Sequence, residues 1–328
     1  MSTIDPEMAG AVVQPTALVI GAGFSKWAAG LPVAEGLFDF RITPIKATEQ
    51  GLIDRLKAEK RGWDDDNRDG LAEQFIAHML RKTNRTHRTV LWYVTRRLSE
   101  PFVASILGGR QTLMIDDSRS KTLLGVRRVQ RFLQRIARSP ISGIVTANYD
   151  LLLEYALGTQ FFNYGTKGEI LHGRGKNPMF PWQGAHPVLC GDLPIAKIHG
   201  SVSWTASTRY TDGRCGLRGD ALVVPPHTEK SRPAVLQRTW QLAGSILRPS
   251  FKAIVFGFGF NSYDDQFLSL LAAGGRQLKA VLLIDVVPKV DAAQRLWPSA
   301  QITTCDPPPR GDRVIAAWIQ SRYAEIHQ

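Results

Sequence analysis

The chain has 328 residues, 44% of them hydrophobic and 21% charged, with a formal net charge of +12; a disordered chain is excluded, and there is apolar material for one large or two modest domains. Three cysteines (Cys190, Cys215 and Cys305), odd in number and without a C-x-x-C pair, argue against a disulfide framework and against a thiolate zinc site. No Lys or Arg precedes Lys26 and no apolar run approaches about 18 residues, so neither a signal peptide nor a membrane span is expected, and the protein reads as soluble and cytoplasmic.

The first expected strand, TALVIGAG near residue 16, runs directly into Gly21, Ala22 and Gly23. Glycines at a strand-to-helix junction leave bare backbone amides at a helix N-terminus, where a pyrophosphate can be cradled. The dinucleotide fingerprint is incomplete: its third glycine would fall at Lys26, and no acidic residue is well placed about twenty positions on.

From 41 to 138 the chain reads as a helical insertion subdomain. In KTLLGVRRVQRFLQRIARS, Val126, Val129, Phe132, Leu133 and Ile136 share one helix face while Arg127, Arg131, Arg135 and Arg138 form a stripe on another; LAEQFIAHMLRK is similarly helical. The basicity of the protein concentrates here, since residues 81–138 carry 14 Lys or Arg against 3 acids and the remainder 27 against 26. Such a cluster is either the electrostatic footprint of a nucleic-acid site or a solvated helix face. Within the insertion, Asp65, Asn67, Asp69 and Gly70 match the first EF-hand spacings, but Ile76 stands where the bidentate Glu belongs, so no calcium loop is expected.

Beyond the insertion, ISGIVTANYD near 141 is an apolar run that ends in Asn148, Tyr149 and Asp150; PIAKIHG near 194 ends on His199; ALVVPP near 221 is a further expected strand. The helical stretch AVLQRTWQLAGSIL separates these from KAIVFGFGF near 252, which carries Gly257 and Gly259 and leads to Asn261, Ser262 and Asp264. KAVLLIDVV near 279 ends on Asp285, a position from which a carboxylate can grip a ribose hydroxyl; CDPPPRGD at 305–312 is a turn before a last helix. Short β-branched runs alternating with helices give an α/β fold: a Rossmann-like parallel sheet with helices on both faces, built from 1–40 and 139–328 around the insertion at 41–138.

Strand C-termini of parallel sheets line the ligand crevice. Asn148, Asp150 and His199 therefore form a candidate hydrolytic set: an amide to hold a water, a carboxylate to accept an amide N–H, and an imidazole to take a proton near neutral pH.

In order, GAGFS, TANYD, KIHGS, VVPP, GFGFNSYD and LLID resemble the sirtuin-like family, in particular its bacterial NADase branch, over residues 15–32 and 141–290. The resemblance implies that NAD is bound as substrate, with Gly21, Ala22, Gly23 and Ser25 around its phosphates and ribose. It implies Asn148 holding the water or substrate beside the nicotinamide ribose, Asp150 on the nicotinamide carboxamide, His199 as general base, and Gly257, Gly259 and Asp285 on the adenosine half. Departures are Gly259 where a serine is common, Ala147 where deacylases carry Gln, and GLPVAEGLFDF where they read Gly-Ile-Pro-Asp-Phe-Arg. Sirtuin deacylases also carry a four-cysteine zinc ribbon; three scattered cysteines cannot build one, so no zinc ribbon and no metal are expected, and a protein deacylase fits less well than an NAD hydrolase.

The same resemblance implies an NAD-depleting effector of anti-phage defence, activated by oligomerisation or by a partner such as a HerA-type ATPase or an Argonaute-like protein. The competing expectation, from the basic segment, is a nucleic-acid-associated or assembly module whose NAD or ADP-ribose site is regulatory.

Overall fold

The computed structural model describes residues 15–42, 44, 47–68, 70–82, 84–99, 106–107, 110–111, 120–137, 139–158, 161–165, 169–170, 188–189, 192–202, 204, 222–226 and 234–321. In chain order the elements are β1 (Thr16–Ile20), α1 (Ala22–Ala29), α2 (Ala47–Asp66), α3 (Ala72–Arg81), α4 (Asn84–Ser99), a small hairpin of β2 (Ile106–Leu107) and β3 (Arg110–Gln111), then α5 (Ser120–Ile136), β4 (Ile141–Thr146) and α6 (Leu152–Leu157). They continue with β5 (Phe162–Asn163), the antiparallel pair β6 (Glu169–Ile170) and β7 (Val188–Leu189), β8 (Leu193–Lys197), α7 (Gln237–Leu247), β9 (Lys252–Phe256), α8 (Asp265–Gly274), β10 (Ala280–Ile284), α9 (Val290–Leu296), β11 (Gln301–Cys305) and α10 (Asp312–Gln320).

Seven strands form one sheet in the order β11-β10-β9-β1-β4-β8-β5, and every neighbouring pair is parallel. The expected Rossmann-like sheet with helices on both faces is therefore present. Every residue of β1, β9 and β10 is buried, which is why these strands read as unbroken apolar runs: central parallel strands are covered on both sides. After β1 the sheet grows in one direction through β4 and β8; the chain then returns to β9 on the other flank of β1. That reversal creates a switch point at the C-terminal end of β1, the place where open parallel sheets bind ligands.

The aromatic core fixes the helix that starts there. Phe24 of α1 packs edge-on against Phe256 at the end of β9, centroids 5.0 Å apart, and against Phe132 of α5 at 6.0 Å. Helix α5 lies along α1 and α6, so the apolar face expected from its spacing is the face that is used: Val129, Phe132 and Ile136 are buried. Its arginines divide. Arg135 pairs with Asp312 at the start of α10, Arg128 donates to the carbonyl of Ala28 at the end of α1 (3.1 Å), and Arg127 and Arg131 stay exposed; Arg138 lies outside the described residues.

The other insertion helices surround a second aromatic cluster. Phe38 stacks on Tyr93 (5.5 Å, 11°) and meets Phe75 edge-on (4.9 Å), while the Tyr93 hydroxyl donates to the Leu37 carbonyl at 2.8 Å. The 3-10 segment Ala34–Asp39 is thereby fastened to α3 and α4, with Arg97 clamping the Asp39 carboxylate through two hydrogen bonds. At 65–70, Asn67 Nδ2 donates to the Trp63 carbonyl and closes α2, and Ile76 is fully buried.

Two expectations need correction. ALVVPP does not add a strand: among the described residues only Val223 makes a β-bridge, to Gly200. Pro225 and Pro226 lack the N–H that a ladder needs, and the segment instead braces the turn that carries His199. Conversely, QITTC forms the edge strand β11, which the sequence conceals because an edge strand with exposed threonine and glutamine lacks the apolar run of its neighbours. The turn at 305–312 and the final helix are as expected. Among the described residues, no helix is long and apolar enough to cross a membrane. Cys190, Cys215 and Arg119 lie outside the described residues.

Cys305, at the end of β11, is half-buried; burial, and then the neighbouring Asp306, push its thiol up to about 11. Because only the thiolate reacts, alkylation of Cys305 in a Cys190→Ser, Cys215→Ser protein should be slow at pH 8 and should speed up about tenfold per pH unit until the thiol titrates. Labelling at pH 8 as fast as in the urea-unfolded protein would contradict this.

Candidate active site

Three loops meet at the switch point. The loop after β1 and the loop after β9 touch backbone to backbone: Gly23 N donates to Gly257 O (2.9 Å), and Gly21 N to Phe256 O (3.0 Å). Gly257 has φ +63°, and a Cβ there would lie 2.2 Å from Phe24 N; a Cβ on Gly21 would lie 2.4 Å from Gly257 O. The glycines that read as a phosphate cradle thus serve first to let two strand ends approach each other. The Gly23 and Phe24 amides are already engaged, Phe24 N donating to Gly21 O at 3.1 Å, and exposed Ala22 opens the helix.

The loop after β4 is joined to α1 by side chains. Ser25 Oγ donates to Asp150 Oδ2 (2.7 Å) and accepts from Asn148 Nδ2 (2.8 Å), whose second hydrogen goes to Gly21 O (2.9 Å). This network fixes the orientation of the Asn148 amide. The Gly21 carbonyl can only accept, and the Ser25 hydroxyl has given its proton to Asp150, so the nitrogen must face both. Asn148 Oδ1 keeps its acceptor capacity, and its residue lines the cavity described below. The other Asp150 oxygen accepts from Leu152 N (3.0 Å), so this carboxylate is a brace before it is anything else, with one lone pair left on each oxygen.

Beneath the loop is a buried ion pair. Lys197, the last residue of β8, donates to the Asp150 carbonyl and to Glu154 Oε1 (2.7 Å), which also accepts from Tyr164 OH at 2.8 Å. A buried pair of this kind gains little net stability, but its partners hold each other in one geometry.

His199 follows β8 by two residues. Its turn is tied to the Asn148 loop: Val202 N donates to Tyr149 O (3.1 Å), Ser201 Oγ to the same oxygen (3.3 Å), and Ile198 N to Thr146 O (3.0 Å). From the outside, Val224 N donates to His199 O (2.8 Å). Gly200 has φ +82°, and a Cβ there would meet Leu222 O at 2.0 Å. The imidazole is 4% exposed, lies nearly parallel to Tyr149 (6.1 Å, 24°), is edge-on to Phe267, and has Nε2 3.4 Å from Asp264 Oδ1. Burial, with added repulsion from Asp264 and then Glu73, raises the Tyr149 phenol well above its usual range, so Tyr149 is a neutral hydroxyl at physiological pH.

One cavity, of about 270 Å³, is lined by every site residue expected from the sequence: Gly21, Ala22, Gly23, Ser25, Asn148, Asp150, His199, Gly257, Gly259 and Asp285. Asn148 and His199 therefore face the same space. Gly259 is open on its side-chain side: the nearest atoms a Cβ there would meet are those of the Asn261 amide, at 3.8 Å, so a serine would fit. Asp285 is half-exposed, one oxygen accepting from Val287 N. The cavity also has walls that the sequence did not announce: Leu31 to Glu35 from the segment after α1, Glu73 from α3 and Leu98 from α4. No local motif marks Glu73 or Leu98, because their role arises from insertion helices folding over the sheet edge. A larger cleft, about 1060 Å³, lies between α2 and α3 with Arg55, His78 and Arg81, but apart from Tyr263 it gathers none of the strand-end residues. Among the described residues, no group of three or more His, Cys, Asp or Glu is arranged to hold a metal.

No family model matches the chain, and no curated protein does. Among solved structures it is similar to one described as "Structural Basis for the Mechanism and Regulation of Sir2 Enzymes", at 12% identity and a TM-score of 0.39, covering 97% of this chain and 93% of that one. The fold assignment comes from strand order and register, given above.

Ser25→Ala removes two buried hydrogen bonds and leaves the Asn148 amide and the Asp150 carboxylate short of a partner. A loss of about 1–3 kcal/mol in unfolding free energy is expected in urea titration. An unchanged midpoint and slope would mean that the three-residue network does not form.

Proposed function

We propose that this chain hydrolyses NAD to nicotinamide and ADP-ribose, as an NAD-depleting effector of bacterial anti-phage defence that is switched on by a partner protein or by oligomerisation. The observation that carries the enzymatic part is the convergence of Asn148 and His199 on one cavity at the switch point, with glycine loops from two strand ends beside them. The defence setting and the partner rest on the motif resemblance alone.

In this reading NAD is the substrate. Its diphosphate lies at the start of α1 and its adenosine half runs past Gly257 and Gly259 toward Asp285. Asn148 accepts a hydrogen bond from the attacking water through Oδ1, since its NH₂ is committed to Gly21 and Ser25. The bond from C1′ to the nicotinamide nitrogen breaks with its electron pair going to the ring, which leaves as a neutral molecule. The water oxygen bonds to C1′, and its proton passes to His199 and then to solvent. Because the leaving group neutralises its own charge, no acid is needed beside it. General-base help of this kind is worth roughly 10²- to 10⁴-fold, and alignment of the water supplies much of the rest.

The acidic residues suit this division. Asp150, Asp264, Glu73 and Asp285 line the cavity, and no Lys or Arg does so among the described residues. A cationic pyridinium ring is favoured beside carboxylates, and the diphosphate meets no side-chain cation in this cavity among the described residues.

Asn148→Ala and His199→Ala should each lower nicotinamide release by at least roughly 100-fold with the native far-UV circular dichroism retained; Asn148→Ala, which removes two buried hydrogen bonds, should also lose about 1–3 kcal/mol of stability. Wild-type turnover in both variants would refute the assignment of the site.

A further inference from the structure

The Asp264 carboxylate lies 3.4 Å from Nε2 of His199, and the sequence gives it no role beyond following a Gly-x-Gly. It sits in the 3-10 turn Ser262–Asp264, whose backbone closes through Asp264 N to Asn261 O (3.0 Å). Three residues on, Phe267 is fully buried between Phe258 (5.2 Å) and Trp240 (6.5 Å) and touches the edge of the imidazole. The turn is therefore anchored by core packing rather than left as a free loop. The imidazole is also backed by Tyr149, and Trp240 Nε1 holds the Ile198 carbonyl next to it (3.0 Å).

We propose that Asp264 is a positioning residue for His199, holding the imidazole with hydrogen on Nε2 and directing the ring toward the cavity. An unprotonated Nε2 at this place would set its lone pair against a carboxylate oxygen 3.4 Å away, which is repulsive; a hydrogen there turns the contact into an attraction. In the neutral ring the proton-accepting nitrogen is then Nδ1, and the imidazolium that forms during turnover is stabilised by the same carboxylate. Tyr149, whose phenol is raised by burial and then by the nearby Asp264 and Glu73 carboxylates, stays a neutral ring against the imidazole. The proposal rests on His199 being the base of the reaction proposed above, and the test separates the two.

The full-length protein is labelled with ¹⁵N-histidine and compared as wild type, Asp264→Ala and Asp264→Asn, with His199→Gln used to assign the signal. In the wild type, the long-range nitrogen spectrum should show His199 with hydrogen on Nε2, and Asp264→Ala should change that pattern. In NAD hydrolysis, Asp264→Ala should lower kcat by about 10- to 100-fold with KM altered less than about threefold, and Asp264→Asn, which keeps an acceptor oxygen and the side-chain volume, should recover part of the loss. A kcat within about twofold of wild type in Asp264→Ala would overturn the proposal, as would an unchanged His199 nitrogen pattern in that variant. If the wild type releases no nicotinamide, the hydrolase reading fails and the nitrogen spectra alone decide the role of Asp264. Should Asp264→Ala not fold, Asp264→Ser, whose shorter side chain does not reach the ring, carries both measurements with the same expected outcomes.

Discussion

The Ser25 hydroxyl, accepting from the Asn148 amide and donating to the Asp150 carboxylate, is the interaction on which the geometry of the site depends. It joins residues more than 120 positions apart in sequence, and it does so at the first turn of the helix that leaves the central strand. Because Asn148 also donates to the Gly21 carbonyl, the amide has no remaining freedom to flip, and its oxygen is left for whatever enters the cavity. The close passage of Gly21 and Gly257 works in the same direction, bringing the β9 end against the β1 end at a distance that no side chain would allow. Buried donors that are all paired in this way cost little to bury and define one arrangement.

From that junction outward the site is a matter of which strand ends are brought together. The Asn148 loop and the His199 turn are stitched by hydrogen bonds onto Tyr149 O, while Lys197 and Glu154 support the same loop from below. The insertion completes the cavity from above through Glu73 and Leu98, so its contribution is a wall of the site as well as a separate packed cluster. Helix α5, although it reads as part of the insertion, packs along α1 and carries the chain into β4; two of its arginines tie it to α1 and α10.

Much of this is legible in the residues themselves. β1, β9 and β10 announce themselves because central parallel strands must be apolar on both faces, and Asn148, His199 and Asp285 because polar residues directly after such runs have few other places to be. Other features are hidden for physical reasons. β11 is an edge strand whose threonines face partly outward, so no apolar run marks it. ALVVPP has the composition of a strand but two prolines that cannot donate, and its backbone pairs with the turn at His199 instead. The contact between Asp264 and His199 joins two loops distant in sequence, and Glu73 reaches the cavity only through the tertiary packing of α3, so neither leaves a local signature.

A crystal structure of the Asn148→Ala protein soaked with NAD would test the central claim most directly, since the variant should bind the dinucleotide without consuming it. The expected density places the nicotinamide ribose C1′ between position 148 and the His199 imidazole, with the diphosphate at the start of α1. Density in the cleft beside Arg55 and Arg81 instead, or a strand-end cavity that stays closed to the dinucleotide at saturating concentration, would contradict it.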